Sequence, residues 1–456
     1  MKMMKSHTTR SKDLTYILVF LLSILPLCLV LLKPILWPFA DDWLIIGWSY
    51  SEKNLVGADS IQLVNGHQYF LVKALMHALG YISPGNIQLI SFVGIILGFI
   101  GIFFLVKSQI VFLGASANFI FMFSIVLISA NYKQMQNFFM PICIGWMMAI
   151  FFIGIYYWIK QKDDFFAKKY LIAILIILAP LTIGLGLILP IIELVENVFK
   201  IVKDRINLVK NSSQVFMSFI SILSIMFFLM VPLLSPGDGF GFSQDEKFSN
   251  ISNIFKNPLG SLLYLLTLIG NIFVPASRFE PTLPILAGSL FLTTCLWVLV
   301  KNRTVIRIED VVLNKNCSLG GLVFIGILFI SRYSGQPSDI QVAAAPRYVT
   351  GSLIFVIGLL GLIQKIGDKR KAISMLLLTT SSLTLISGLK TGLEWHETRY
   401  RQSQILIECA DSKSSIKTKF AEGQPCFALA YENSMSPSKG FFQSELQDFI
   451  ENINNG

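Results

Sequence analysis

The residues best suited to chemistry lie in one short string, Trp37-Pro38-Phe39-Ala40-Asp41-Asp42-Trp43. Two adjacent carboxylates between indoles occupy a partly apolar setting. That setting disfavours ionisation, raises a carboxyl pKa and suits the group to take a proton from a hydroxyl. The same residues fit a second role, since Asp41 or Asp42 could cap the apolar helix expected to begin at Trp43. Capping and proton transfer can use one aspartate each, and the string alone does not choose between them.

Asn65-Gly66-His67 follows and opens a helix to about residue 79. Asn65, Tyr69, Lys73 and His77 recur every four residues and share one face. With Phe70, Leu71, Val72, Leu75 and Leu79 elsewhere, this predicts an interfacial helix whose polar stripe is its wet face. His67 lies off the stripe at the helix entrance. Together with Trp43 and Lys73 it is a candidate substrate contact.

A third feature is Pro346-Arg347-Tyr348, which opens an apolar span. A helix start exposes free N–H groups and partial positive charge, and Arg347 adds a forked donor set that fits phosphate. Arg332, ending the preceding span, could supply a second cation; the alternative is that both arginines reach to lipid headgroups. Arg278, Lys256 and Lys390 are weaker candidates. Glu394-Trp395-His396-Glu397 lacks the paired histidines of a zinc helix and reads as an aromatic interface anchor. Asp238 and Asp245-Glu246 fit a sugar, a divalent ion or a solvated loop equally.

What must position these residues is a set of membrane helices. The chain of 456 residues is 54% hydrophobic and 14% charged, against roughly 25% charged in soluble domains. Many of its apolar runs approach or exceed the ~18 residues that a spanning helix needs. A soluble enzyme and a disordered chain are excluded. The net charge of +10 fits lysine and arginine collecting in cytoplasmic connectors. It does not fit nucleic-acid binding, for which no basic patch on a soluble domain exists.

The first span covers 14–36, with the N-terminus cytoplasmic. Others follow at about 86–106, 110–130, 138–159, 170–198, 214–234, 257–274, 284–300, 317–333, 348–366 and 372–389. Basic connectors at 160–169, 200–210, 301–315 and 365–371 belong in the cytoplasm. That is met if 170–198 breaks into two helices at Pro180, Gly184 and Gly186, and if 257–274 dips in and returns. The expected architecture is all-α and polytopic, with about eleven crossings plus a re-entrant or broken segment. A transmembrane module covers 1–389, with its first outer loop at 37–85, and an extracytoplasmic tail covers 390–456. That tail holds Cys409 and Cys426, which an oxidising compartment would join in a disulfide. No Gly-rich nucleotide-binding unit is present.

This order of features resembles the GT-C superfamily of integral-membrane glycosyltransferases, most of all bacterial and phage-encoded, serotype-converting O-antigen glucosyltransferases. The resemblance rests on Asp41 and Asp42 in the first outer loop, on Asn65-Gly66-His67 with its helix, and on the broken pair around Gly184 and Gly186. Arg347-Tyr348 leading a late helix completes it. It implies a polyprenyl-phosphate-linked sugar as donor, a surface glycan in lipopolysaccharide or the cell envelope as acceptor, and transfer on the periplasmic face of a bacterial inner membrane. Asp41 or Asp42 would deprotonate the acceptor hydroxyl. Arg347, with Arg332 and Tyr348, would hold the departing lipid phosphate. A divalent metal is used by some members but is not expected to be obligatory here. Two other readings stand beside it: a transporter or flippase of a lipid-linked or anionic solute, and a polysaccharide polymerase or ligase.

Overall fold

In lipid a bare N–H or C=O finds no partner, so an apolar run closes its own hydrogen bonds as a helix. The computed structural model of the protein describes residues 2–39, 42, 46, 49, 69–114, 118–163, 167–203, 212–234, 252–274, 281–301, 317–336, 338–366 and 370–411. Every regular element among them is helical.

Among the described residues, five helices are long and apolar enough to cross a bilayer: Asp13–Leu32, Ile87–Leu113, Pro141–Lys160, Ser212–Met230 and Thr282–Lys301. Phe70–Gly80, Pro258–Gly270, Ser318–Leu328 and Val349–Lys365 are apolar but shorter. The first helix, Ser212–Met230 and Thr282–Lys301 leave most of their apolar surface outward, with Phe20, Phe219 and Leu290 among the exposed side chains. A bilayer is what covers such a surface. Inside the bundle, Ile87–Leu113 and the helix Ile144–Lys160 approach to backbone contact. A Cβ on Gly154 would lie 2.2 Å from the Gly101 carbonyl oxygen, the small-residue crossing that membrane helices favour.

The expected break inside 170–198 is present. The helices Lys168–Leu178 and Ile188–Lys203 are joined by two 3-10 turns, Ala179–Leu181 and Gly184–Leu187. The expected boundary between 86–106 and 110–130 lies elsewhere. Ile87–Leu113 runs straight through Lys107, and Phe119–Ser129 begins only after Asn118, whose side chain caps the Phe121 N–H at 2.8 Å. Lys107 does not end its helix because its ammonium rests over the rings of Tyr16, Phe103 and Trp158.

Pro258–Gly270 has 13 residues, about 20 Å of helix at 1.5 Å per residue, against a hydrocarbon core of ~30 Å. Both its ends are tied to the connector after Arg332. Tyr333 donates to the Asn257 carbonyl at 3.3 Å, and the Asn271 side chain donates to the Ala344 carbonyl at 2.9 Å. The last helix, Arg370–Asp411, is unbroken over 42 residues, so no backbone break accompanies the expected division at 389 and 390. The Cys409 backbone belongs to that helix, and Cys426 lies outside the described residues.

The bundle has two chemically different ends. At one, Lys160 pairs with Glu193 at 2.7 Å and Glu196 at 3.0 Å, and Lys200 also bonds Glu196. Lys107, Lys162 and Lys365 lie over aromatic rings near that end. The other end gathers Asn131, Asn137 and Asn271, the first loop and Arg347.

Candidate functional site

Residues 131–146 are the hub of that second end. Here the chain passes through the 3-10 turn Tyr132–Gln134, the one-turn helix Met135–Phe139 and the 3-10 turn Pro141–Cys143 before Ile144–Lys160 begins. Asn131 caps the first turn by accepting the Lys133 N–H at 3.0 Å. Pro141 has no N–H to extend the previous ladder.

Asp42 plugs into this hub and is only 2% exposed. One carboxylate oxygen accepts the Ile142 N–H at 2.8 Å and the other accepts the Phe39 N–H at 3.0 Å. Asp42 thus caps the turn leading into Ile144–Lys160; the helix expected to begin at Trp43 lies outside the described residues. Asp41, Trp43 and His67 lie outside the described residues, as do Asn65, Asp238, Asp245, Glu246 and Arg278.

The last helix holds this loop in place. The Ser403 hydroxyl accepts the N–H groups of Leu36 and Trp37, both at 3.0 Å. Lys33 and Glu397 pair at 2.9 Å, and the Arg399 guanidinium lies 3.9 Å from the Phe39 ring centroid. His396 packs edge-on against Phe139, and burial brings its pKa down to about 4. Lys33 and Arg401 hold the Glu397 carboxyl down at about 2. The Glu394-Trp395-His396-Glu397 string is thus a clamp on the first loop, where an interface anchor was expected.

Lys73 corrects another expectation. Tyr69, Val72, Lys73 and Met76 form the buried face of Phe70–Gly80, whereas Phe70 is exposed. Tyr69 and Lys73 of the polar stripe therefore turn inward rather than forming a wet face, while His77 is half-buried. A membrane bundle accepts apolar groups outside and has its only polar partners within, so the polar side goes in. This face meets the hub at Gly145. A Cβ there would lie 3.0 Å from the Thr182 carbonyl oxygen in the helix break and 3.2 Å from the Tyr69 ring.

Arg347 stands as the sequence places it, in the 3-10 turn Pro346–Tyr348 at the head of Val349–Ile366. Its carbonyl accepts from the Asn137 side chain at 2.9 Å, and its guanidinium lies 5.3 Å from the Tyr348 ring centroid. Tyr348 is buried and packs edge-on against Trp146 at 6.1 Å. Arg332, Arg347 and Asp339 all act electrostatically on the Tyr264 hydroxyl, so the two arginines converge on one region. Asp339 there accepts from the backbone N–H groups of Ser334 and Gln336.

The sequence reading passed over Asn131, Lys133, Gln134 and Asn137, all at most 2% exposed. Lys133 donates to the Asn271 carbonyl, and Asn131 to that of Ile272. Thr350 bridges Asn137 and Gln134, each at 2.7 Å. Burial lowers the Lys133 pKa to about 7. The available signal was five polar residues, Gln136 among them, within seven positions set between two apolar runs.

The hub thus ties together the Asp42 loop through Ile142, the Lys73 helix and the break through Gly145, and the Arg347 turn through Asn137 and Trp146. Among the described residues, no three His, Cys, Asp or Glu side chains gather as metal ligands. Compared with family models, with curated proteins and with solved structures, the chain matches none.

Proposed function

We propose that the chain is a GT-C-type glycosyltransferase. It moves a sugar, a hexose such as glucose, from a polyprenyl-phosphate carrier to a surface glycan such as O-antigen. The observation that carries this reading is the shared anchorage of the acidic loop and the arginine turn on residues 137–146. A displacement at an anomeric carbon needs a base on one side and charge stabilisation of the leaving group on the other.

In this reading Asp41 is the base. Asp42 already spends both carboxylate oxygens on backbone N–H groups, which favours its neighbour. The acceptor hydroxyl gives its proton to Asp41 as its oxygen attacks the anomeric carbon. The bond from that carbon to the phosphate oxygen breaks, and the phosphate leaves carrying the electron pair. Arg347 and Arg332 neutralise that charge. Lys73, His67 and Trp43 contact the sugar or acceptor. No metal has an obligatory part, and Cys409 and Cys426 form a disulfide.

The module makes eleven crossings of a bacterial inner membrane, with the N-terminus cytoplasmic and the tail periplasmic. The collection of Lys160 and Lys200 at the end opposite Arg347 supports this orientation. Comparison of the surface polysaccharide of cells with and without the protein tests the function. A missing sugar branch supports it, and an identical glycan overturns it.

The buried Lys160, Glu193 and Glu196 cluster favours the transporter reading, because intramembrane ionisable groups often mark a transport path. Its charges are paired with Lys160 and Lys200, and it lies away from the hub. Glu193→Gln separates the two: transport of a solute would fall, whereas sugar transfer would not.

A further inference from the structure

A groove of about 440 Å³ runs between the first helix and Ile87–Leu113, lined by apolar atoms of Tyr16, Phe20, Leu27, Ile96, Ile100 and Phe103 among others. Its volume is within the range of ligand sites, roughly 300–1,000 Å³. Phe20 is 67% exposed and Ile96 and Ile100 are each 37% exposed, so the groove opens sideways. In a bundle that spans a bilayer, a sideways opening faces lipid.

The groove has a charged mouth. Lys107 follows Phe103 by one helical turn, and its ammonium lies 5.8 Å from the Tyr16 ring, 5.4 Å from Phe103 and 5.3 Å from Trp158. Lys162 lies over the same Trp158 ring at 5.1 Å. Two cations thus share one indole beside the groove's end. Among the described residues neither has a carboxylate partner within ion-pair distance; Asp13 acts on the Tyr16 hydroxyl, and Asp163 follows Lys162 in the chain. An indole flanked by lysines at the edge of an apolar span suits the headgroup level of a membrane.

We infer that this groove binds one anionic phospholipid, with an acyl chain between the two helices and its phosphate between Lys107 and Lys162. The mouth lies at the end opposite Arg347, so this lipid occupies the other leaflet from the sugar carrier proposed above. The site does not depend on the reaction assigned to the hub. Its chemical basis is complementarity: an apolar channel for the chain and two cations sharing one indole for the phosphate.

The test uses the full chain in phosphatidylethanolamine vesicles containing phosphatidylglycerol with a photoreactive acyl chain. The expected cross-links fall on residues 16–27 and 95–103. Native mass spectrometry of the purified protein should show phosphatidylglycerol retained at least several-fold over phosphatidylethanolamine. Lys107→Gln with Lys162→Gln should abolish that preference. Ile100→Trp should displace the lipid, whereas Leu21→Trp, outside the groove lining, should not. Cross-links elsewhere in the wild-type chain overturn the inference whatever the variants do. Equal retention of both lipids, an isoprenoid phosphate in the groove, or a second copy of the chain covering it would also overturn it.

Discussion

The Asp42 carboxylate accepts the Ile142 backbone N–H at 2.8 Å, joining residues a hundred positions apart. One oxygen fixes the first loop to the hub while the other closes the loop on Phe39. Asp42→Asn keeps one acceptor and turns the other into a donor, which leaves a buried N–H unpaired. The expected cost is about 1–3 kcal/mol of stability, read as a lower melting temperature in detergent. Asp41→Asn should instead leave melting unchanged and lower sugar transfer by about 100-fold or more. Full transfer in the Asp41 variant removes the base assignment.

Arg347→Ala should weaken use of the lipid-phosphate donor by roughly 10- to 100-fold, the worth of one or two charged hydrogen bonds. Dependence on the acceptor should change less. Arg347→Lys should restore only part, since an ammonium cannot make the forked contact. Initial rates at varied donor and acceptor concentrations in membranes give the answer, and an unchanged donor dependence rejects the phosphate role.

Lys133 gives the fold a pH signature. Burial holds its pKa at about 7, below the usual 10.5. Between those values the unfolded chain binds more protons than the folded one, so stability rises with pH across that window. Below pH 7 the full cost of the buried cation is felt. The swing is at most about 5 kcal/mol. Melting curves from pH 6.5 to 10 should shift upward in the wild type and stay flatter in Lys133→Met. Parallel curves would contradict the burial argument.

Single cysteines introduced at positions 205 and 420 report orientation. An impermeant thiol reagent added to intact cells exposing the periplasmic face should label position 420 and spare position 205. The reverse pattern overturns the proposed topology.

Much of the fold was legible because its breaks have chemical causes. Pro180, Gly184 and Gly186 cluster within seven positions and together interrupt the ladder, and the chain turns there. Lys107 misled because a charge inside an apolar run usually ends it, and only tertiary contact shows three rings receiving the ammonium. Lys73 misled differently. Periodicity says which residues share a face, but not which face is inside when lipid replaces water outside. The hub was hardest to read, because Asn131, Lys133 and Gln134 look like a solvated connector. Their partners, Ile272, Asn271 and Thr350, lie over a hundred positions away.

At about 1.5 Å per residue, the 42-residue final helix extends about 63 Å, twice the ~30 Å thickness of the hydrocarbon layer. The first loop is lashed to it at Glu397, Arg399 and Ser403. The position of the Asp42 loop along the bundle is therefore counted out along a single rod. Deleting one turn of that rod before Glu394 would lower its grip by about 5.4 Å, out of step with Ile142 and the rest of the hub. The rod is a ruler, and its length is part of the site.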